Sequence, residues 1–165
     1  MKPLKGKRVL DLTNVLAGPF CTYQLANLGA EVLKVETPVK GDLARNLGAD
    51  PDLNSKGMGI SFLAQNSGKK SITLNLKSTK GKILFRKLVN EYDAVVENFR
   101  PGVMEKLGLG PDECLAVNNA LIYGRMTGWG QEGPMSKVAG HDICLLYTSD
   151  AADDTPCVDL GGRRI

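Results

Sequence analysis

Little in this sequence points toward a membrane, a metal or a nucleic acid. No apolar run approaches the roughly 20 residues that span a bilayer. The opening Met1-Lys2-Pro3-Leu4-Lys5-Gly6-Lys7 lacks the apolar core of a signal peptide, so a cytoplasmic protein without a membrane partner is expected. The four cysteines, Cys21, Cys114, Cys144 and Cys157, are scattered and no two stand at metal-ligand spacing. They read as reduced, mostly buried thiols, and no metal is expected. Like charges never form a block, the net charge is only +3, and no basic stripe is interleaved with aromatics. A nucleic-acid partner is therefore not expected. A GxGxxG loop is missing too, which removes the usual fingerprint of a dinucleotide site. Neither repeats nor low-complexity segments occur.

What is present is an alternation of strand and helix patterns in 165 residues, enough for one domain with its own core. Residues 8–12, Arg-Val-Leu-Asp-Leu, alternate as a first strand. A loop follows, Pro19 stands where a helix would begin, and Gly29 suits its C′ position. Residues 31–36 form a second strand, so the opening is a βαβ unit with a right-handed crossover and a parallel sheet. From 37 to about 70 the periodicity fades into what reads as a long irregular excursion. Residues 71–76 alternate again. Ser78 is a candidate N-cap for a helix whose apolar stripe is Ile83, Leu84, Leu88, Val89 and Tyr92. A strand at 94–97, a break at Asn98-Phe99-Arg100-Pro101-Gly102, two short helices and a strand at 120–125 complete a doubly wound α/β pattern. Ligands of open α/β sheets bind at the carboxyl ends of such strands.

One stretch concentrates unusual residues. Residues 124–142 hold the only tryptophan, Trp129, the only histidine, His141, and five glycines. Glycine density after an apolar run suggests a loop that turns sharply or approaches a ligand. Histidine titrates near neutrality, which makes His141, supported by Asp142, a candidate acid/base.

Several segments taken together resemble one family. They are residues 4–12 (Leu-Lys-Gly-Lys-Arg-Val-Leu-Asp-Leu), Ala17-Gly18-Pro19-Phe20, Gly29-Ala30-Glu31-Val32-Leu33-Lys34-Val35-Glu36, Asn66-Ser67-Gly68-Lys69-Lys70-Ser71-Ile72, Glu97-Asn98-Phe99-Arg100-Pro101-Gly102 and Leu107-Gly108-Leu109-Gly110-Pro111. In this order they resemble the N-terminal part of a class III CoA-transferase, of the CaiB/BaiF type, a family that also contains the α-methylacyl-CoA racemases. The resemblance implies a truncated Rossmann-like, mostly parallel CoA-binding domain over residues 1–143. Residues 144–165, without sustained periodicity, read as a tail outside the family domain. Full-length members form interlocked homodimers.

Arg125-Met126-Thr127-Gly128-Trp129-Gly130-Gln131 and Ala139-Gly140-His141-Asp142-Ile143 resemble the racemase branch. The leading expectation is thus racemisation of a 2-methylacyl-CoA, with His141 exchanging the α-proton on one face. The partner, an aspartate in a short Gly-Asp-type turn further along, is expected to be missing from this chain; Asp159 lies only 18 positions after His141 and is not assigned the role. Two alternatives stand beside it. A CoA-transferase would use that aspartate as a nucleophile, and a CoA-binding module would have no activity.

The resemblance implies no tightly bound cofactor, coenzyme A being part of the acyl-CoA substrate. It places Val15, Leu16 and Ala17 at the nucleotide end, Leu74 and Lys77 at the adenine and its phosphate, and Asn98, Phe99 and Arg100 along the channel. Lys106 and Arg125 are further cations suited to phosphate. An arginine often found after Glu36 in the family is Thr37 here, with Lys34 or Lys40 as possible replacements.

Overall fold

A computed structural model describes residues 2 to 140 of the chain. Five strands, β1 Arg8–Asp11, β2 Glu31–Glu36, β3 Lys70–Thr73, β4 Ala94–Glu97 and β5 Ile122–Arg125, form one parallel sheet in the order β3-β2-β1-β4-β5. This is the doubly wound arrangement the alternating pattern predicts, and its strand order reverses between β1 and β4. The helices are α1 Ala17–Asn27, α2 Pro51–Ser55, α3 Ile60–Asn66, α4 Thr79–Glu91, α5 Val103–Lys106 and α6 Pro111–Val117. None of those described is long and apolar enough to cross a membrane.

Strand alternation divides the core into two faces. Leu10, Leu12, Leu33, Val35 and Val95 point to one face and pack with Phe85, Val89 and Tyr92 from the α4 side, Met104 of α5, and Cys114 of α6. Val9 and Val32 point to the other face, with Ala30 and the partly buried Leu25 and Ala26 packed on them. The Cys114 thiol is buried and its pKa is pushed up to about 11 by that burial, so it stays protonated and inert.

Two readings of the pattern change. Residues 37–70 hold order in short pieces: a 3₁₀ turn, Leu43–Asn46, followed by α2 and α3. These elements are only 4, 5 and 7 residues long, too short for a helical period to show. Asp42 and Asp50 cap the first two through their side chains, a local signal that periodicity does not register. Helix α4 is capped by Ser78 as expected, but it buries a face of Gly81, Phe85 and Val89. Ile83 and Leu84, placed in the apolar stripe from sequence, are 49% and 50% exposed. The helix is rotated only part-way from the expected setting: Leu88, Val89 and Tyr92 face the core as expected, with Phe85 in place of Ile83 and Leu84, and Gly81 lies against the Asn75 carbonyl, where no Cβ could fit.

The chain divides after Met126. In the second unit the Trp129 indole N–H donates to the Ala139 carbonyl at 3.3 Å, folding the glycine-rich loop back on itself. At Gly140 a Cβ would come 2.9 Å from the Gly128 Cα. His141, Asp142 and residues 144–165, including Asp159, lie outside the described residues.

The rotated setting of α4 is testable by urea denaturation. Phe85→Ala should cost about 3–5 kcal/mol, the usual range for emptying a fully buried aromatic site. Leu84→Ala should cost under about 1 kcal/mol, as for most surface changes. Equal costs would contradict the setting.

Candidate functional site

Because every strand runs the same way, the segments after β1, β3 and β4 emerge on one edge of the sheet. The β1–α1 segment, residues 12–16, is the most constrained of them. Val15 has φ of +73°, a left-handed conformation costly for a β-branched residue. Three side chains hold it there. Asn98 accepts from the Asn14 amide and donates back to the Asn14 carbonyl, both at 2.9 Å, bridging the ends of β1 and β4 where the strand order reverses. Asp42 accepts from the Val15 amide at 3.0 Å. Gln65, its amide nitrogen turned toward the loop, donates to the Leu16 carbonyl at 2.8 Å. Gly18 then lets α1 start tight against the strand end: a Cβ there would sit 2.4 Å from that of Thr13.

Beneath this loop the α1 face of the sheet turns from apolar to ionic. Asp11 continues the face of Val9, and Lys34 and Glu36 continue that of Val32. All three are buried, and a buried charge persists only when paired and hydrogen-bonded. Lys34 reaches Asp42 at 2.9 Å and donates to the Thr13 carbonyl at 2.7 Å. Lys69 reaches Asp11 at 2.9 Å and also donates to the Pro19 carbonyl, the Thr22 hydroxyl and Asn66. Desolvation lowers the Lys69 pKa despite the neighbouring Asp11. Asp11 takes further hydrogen bonds from the hydroxyls of Thr13 and Thr22.

Glu36 anchors the segment that carries Asp42. Arg45 donates to both its oxygens at 2.7 Å, Ser71 donates to it, and the Asp42 amide donates at 2.9 Å. Arg45 also lies 3.8 Å from the centre of the Phe62 ring and donates to the Gly57 carbonyl. One guanidinium thus joins β2, the 3₁₀ turn, the end of α2 and α3. Burial alone would raise the Glu36 carboxyl, but the Arg45, Ser71 and Asp42 hydrogen bonds outweigh it and hold the pKa at about 2.

The residues singled out from sequence distribute as follows. Val15, Leu16 and Ala17 are exposed on the β1–α1 segment, and Asn98, Phe99 and Arg100 follow β4 beside it. Leu74 is half-buried against the core after β3, and Lys77 is exposed three residues on. Lys77, Arg100 and Lys106 have exposed side chains without an ion-pair partner among the described residues. Arg125 differs: it meets Glu97 at 3.3 Å and Glu105 at 2.6 Å, so two carboxylates already occupy it. Lys34 is also engaged, buried on Asp42, and cannot replace the cation missing at Thr37. Lys40, next to that turn, is exposed and has no ion-pair partner among the described residues. Sequence reasoning missed Asp11, Asp42, Glu36, Arg45, Gln65 and Lys69. The available signal was two charged residues, Lys34 and Glu36, on one face of a strand interior to a doubly covered sheet.

Comparison with known proteins supplies the family. The model of CoA-transferase family III matches residues 4–151. Mouse succinyl-CoA:glutarate CoA-transferase is 46% identical over 94% of this chain and 36% of its own length. Acetyl-CoA:oxalate CoA-transferase of Acetobacter aceti is 42% identical over 99% of this chain and 42% of its own. The crystal structure of a CaiB/BaiF family protein from Brucella suis superposes with a TM-score of 0.85 at 38% identity, covering 99% of this chain and 43% of that one. The chain therefore spans about two-fifths of the length of these relatives.

The low pKa of Glu36 sets an acid limit on stability. Its contribution, on the order of 3 kcal/mol, is complete above the unfolded value of 4.5 and is lost as pH falls toward about 2. Denaturation midpoints measured from pH 6 to pH 2.5 should fall in this window, and Glu36→Gln should flatten that part of the profile. An unchanged slope in the variant would assign the acid loss elsewhere.

Proposed function

The chain belongs to CoA-transferase family III, and on that premise we propose that the whole protein moves coenzyme A from an acyl-CoA thioester to a second carboxylic acid. The carrying observation is the identity, 46% and 42%, to proteins named as CoA-transferases. Their named acids, glutarate and oxalate, are dicarboxylates, so a short dicarboxylic acid is the acceptor class that we infer.

This chain's share is the cradle for coenzyme A at the carboxyl edge of the sheet. The residue 15–17 segment leads into the first turn of α1, whose leading amides lack helical partners, beside the Asn98, Phe99 and Arg100 turn. Lys77, Arg100, Lys106 and Lys40 are the exposed cations for the phosphates, where ionised donors make strong hydrogen bonds. Arg125 stays with Glu97 and Glu105. In the family mechanism an aspartate carboxylate attacks the thioester carbonyl and expels the thiolate of coenzyme A, leaving an acyl anhydride. The thiolate then attacks the aspartyl carbonyl, releasing the first acid and leaving an enzyme thioester. The incoming carboxylate attacks that thioester to form a second anhydride, and the thiolate takes the new acyl group. That aspartate is not among the described residues, and full-length assembly as an interlocked homodimer belongs to the same proposal.

Racemisation of a 2-methylacyl-CoA is the second reading. It keeps one observation, the racemase-like sequence around Arg125 to Gln131 and His141, against relatives named for CoA transfer. The full-length protein, given succinyl-CoA and a dicarboxylate in heavy water, should form the new thioester without deuterium at the α-carbon. Deuterium entering a 2-methylacyl-CoA with no exchange of acids would overturn the transferase reading.

A further inference from the structure

The β1–α1 segment is held in an unfavourable conformation by a residue 27 positions further along the chain. Asp42 is fully buried, yet it sits in the short turn between β2 and the 3₁₀ element, where a capping aspartate would ordinarily be solvated. Its Oδ1 accepts from two amides, Val15 at 3.0 Å and Ala44 at 2.9 Å. Its Oδ2 faces the Lys34 ammonium at 2.9 Å. The Ala44 bond is an ordinary local cap. The Val15 bond is not local, and it lands on the one residue of the segment with a left-handed φ.

We infer that Asp42 is a positioning residue for coenzyme A binding: through the Val15 amide it fixes the residue 15–17 segment, and the buried Lys34 ammonium fixes Asp42 in turn. The inference rests on the reading of that segment as part of the coenzyme A site. Charge on Asp42 strengthens the amide bonds it accepts, and Lys34 offsets the cost of burying that charge. Lys34 also ties the same pair to the Thr13 carbonyl at 2.7 Å, so strand end, loop and turn move together. The segment is thereby set before ligand arrives, which spares binding the cost of ordering it.

Two double variants isolate the Val15 contact from the ion pair. Lys34→Met/Asp42→Asn and Lys34→Met/Asp42→Ala both remove the two charges and leave no ion buried alone, but only the first keeps an oxygen for the Val15 amide. Calorimetric titration of the 165-residue chain with coenzyme A should show the Asp42→Ala double binding up to about tenfold more weakly than the Asp42→Asn double, the upper end of the worth of one neutral hydrogen bond. Hydrogen exchange at the Val15 amide should be slow in the wild-type chain and in the Asp42→Asn double and fast in the Asp42→Ala double. Equal affinities with equal Val15 exchange would overturn the inference, as would a freely exchanging Val15 amide in the wild-type chain, a result that needs no variant to fold. Absence of coenzyme A binding by the wild-type chain would instead count against the proposed function, and the exchange data would still decide whether Asp42 holds the loop.

Discussion

Two lysine–carboxylate pairs, Lys34 with Asp42 and Lys69 with Asp11, lie buried side by side on the α1 face of the sheet. In most domains this position would be filled by Val, Ile or Leu, since an ion pair taken out of water gains little over a well-packed apolar pair. Here the charges hold backbone that apolar residues could not. Lys34 binds the Thr13 carbonyl, Lys69 binds the Pro19 carbonyl, and Asp42 binds the Val15 amide. Three contacts within seven residues fix the path from the end of β1 into α1. Breaking either pair singly would leave a lone buried ion, which typically costs about 3–5 kcal/mol.

The consequence runs outward. The Asn14 and Asn98 contacts tie this path to the loop after β4, across the point where the strand order reverses. The excursion through the 3₁₀ turn, α2 and α3 is held to β2 by the Arg45 and Glu36 pair, and it supplies Asp42 and Gln65 to the same segment. The cations that suit phosphate, Lys77 and Arg100, stay exposed, while Arg125 and Lys34 are consumed within the fold. Membership of CoA-transferase family III gives this geometry its meaning.

The sheet was legible because strand alternation, the Gly29 C′ position and the Ser78 cap are local signals that act independently of the rest of the chain. Gly29 indeed has φ of +104°, and Ser78 accepts from the Gly81 amide. The part-rotation of α4 was not, because helical periodicity does not register how closely Gly81 approaches the Asn75 carbonyl in the turn before the helix. The buried network escaped for a related reason. Lys34, Asp42 and Lys69 look like solvated surface charges until the topology places them under α1 and α3. Sequence resemblance located the segments at the site but gave no way to tell a free cation from an engaged one. It also favours racemisation from one glycine-rich stretch, whereas the relatives are named for CoA transfer.

By the proposed function, coenzyme A lies at the carboxyl edge of this sheet, along the β1–α1 and β4 segments. The most direct measurement is an amide chemical-shift titration of the isotopically labelled chain with coenzyme A. Shifts concentrated at Val15, Leu16, Ala17, Asn98, Phe99 and Arg100, with Ile83 and Val117 on the far helices unmoved, are the predicted result. Shifts confined to the groove lined by Ile83, Arg86 and Val117, or no saturable shifts at all, would contradict it.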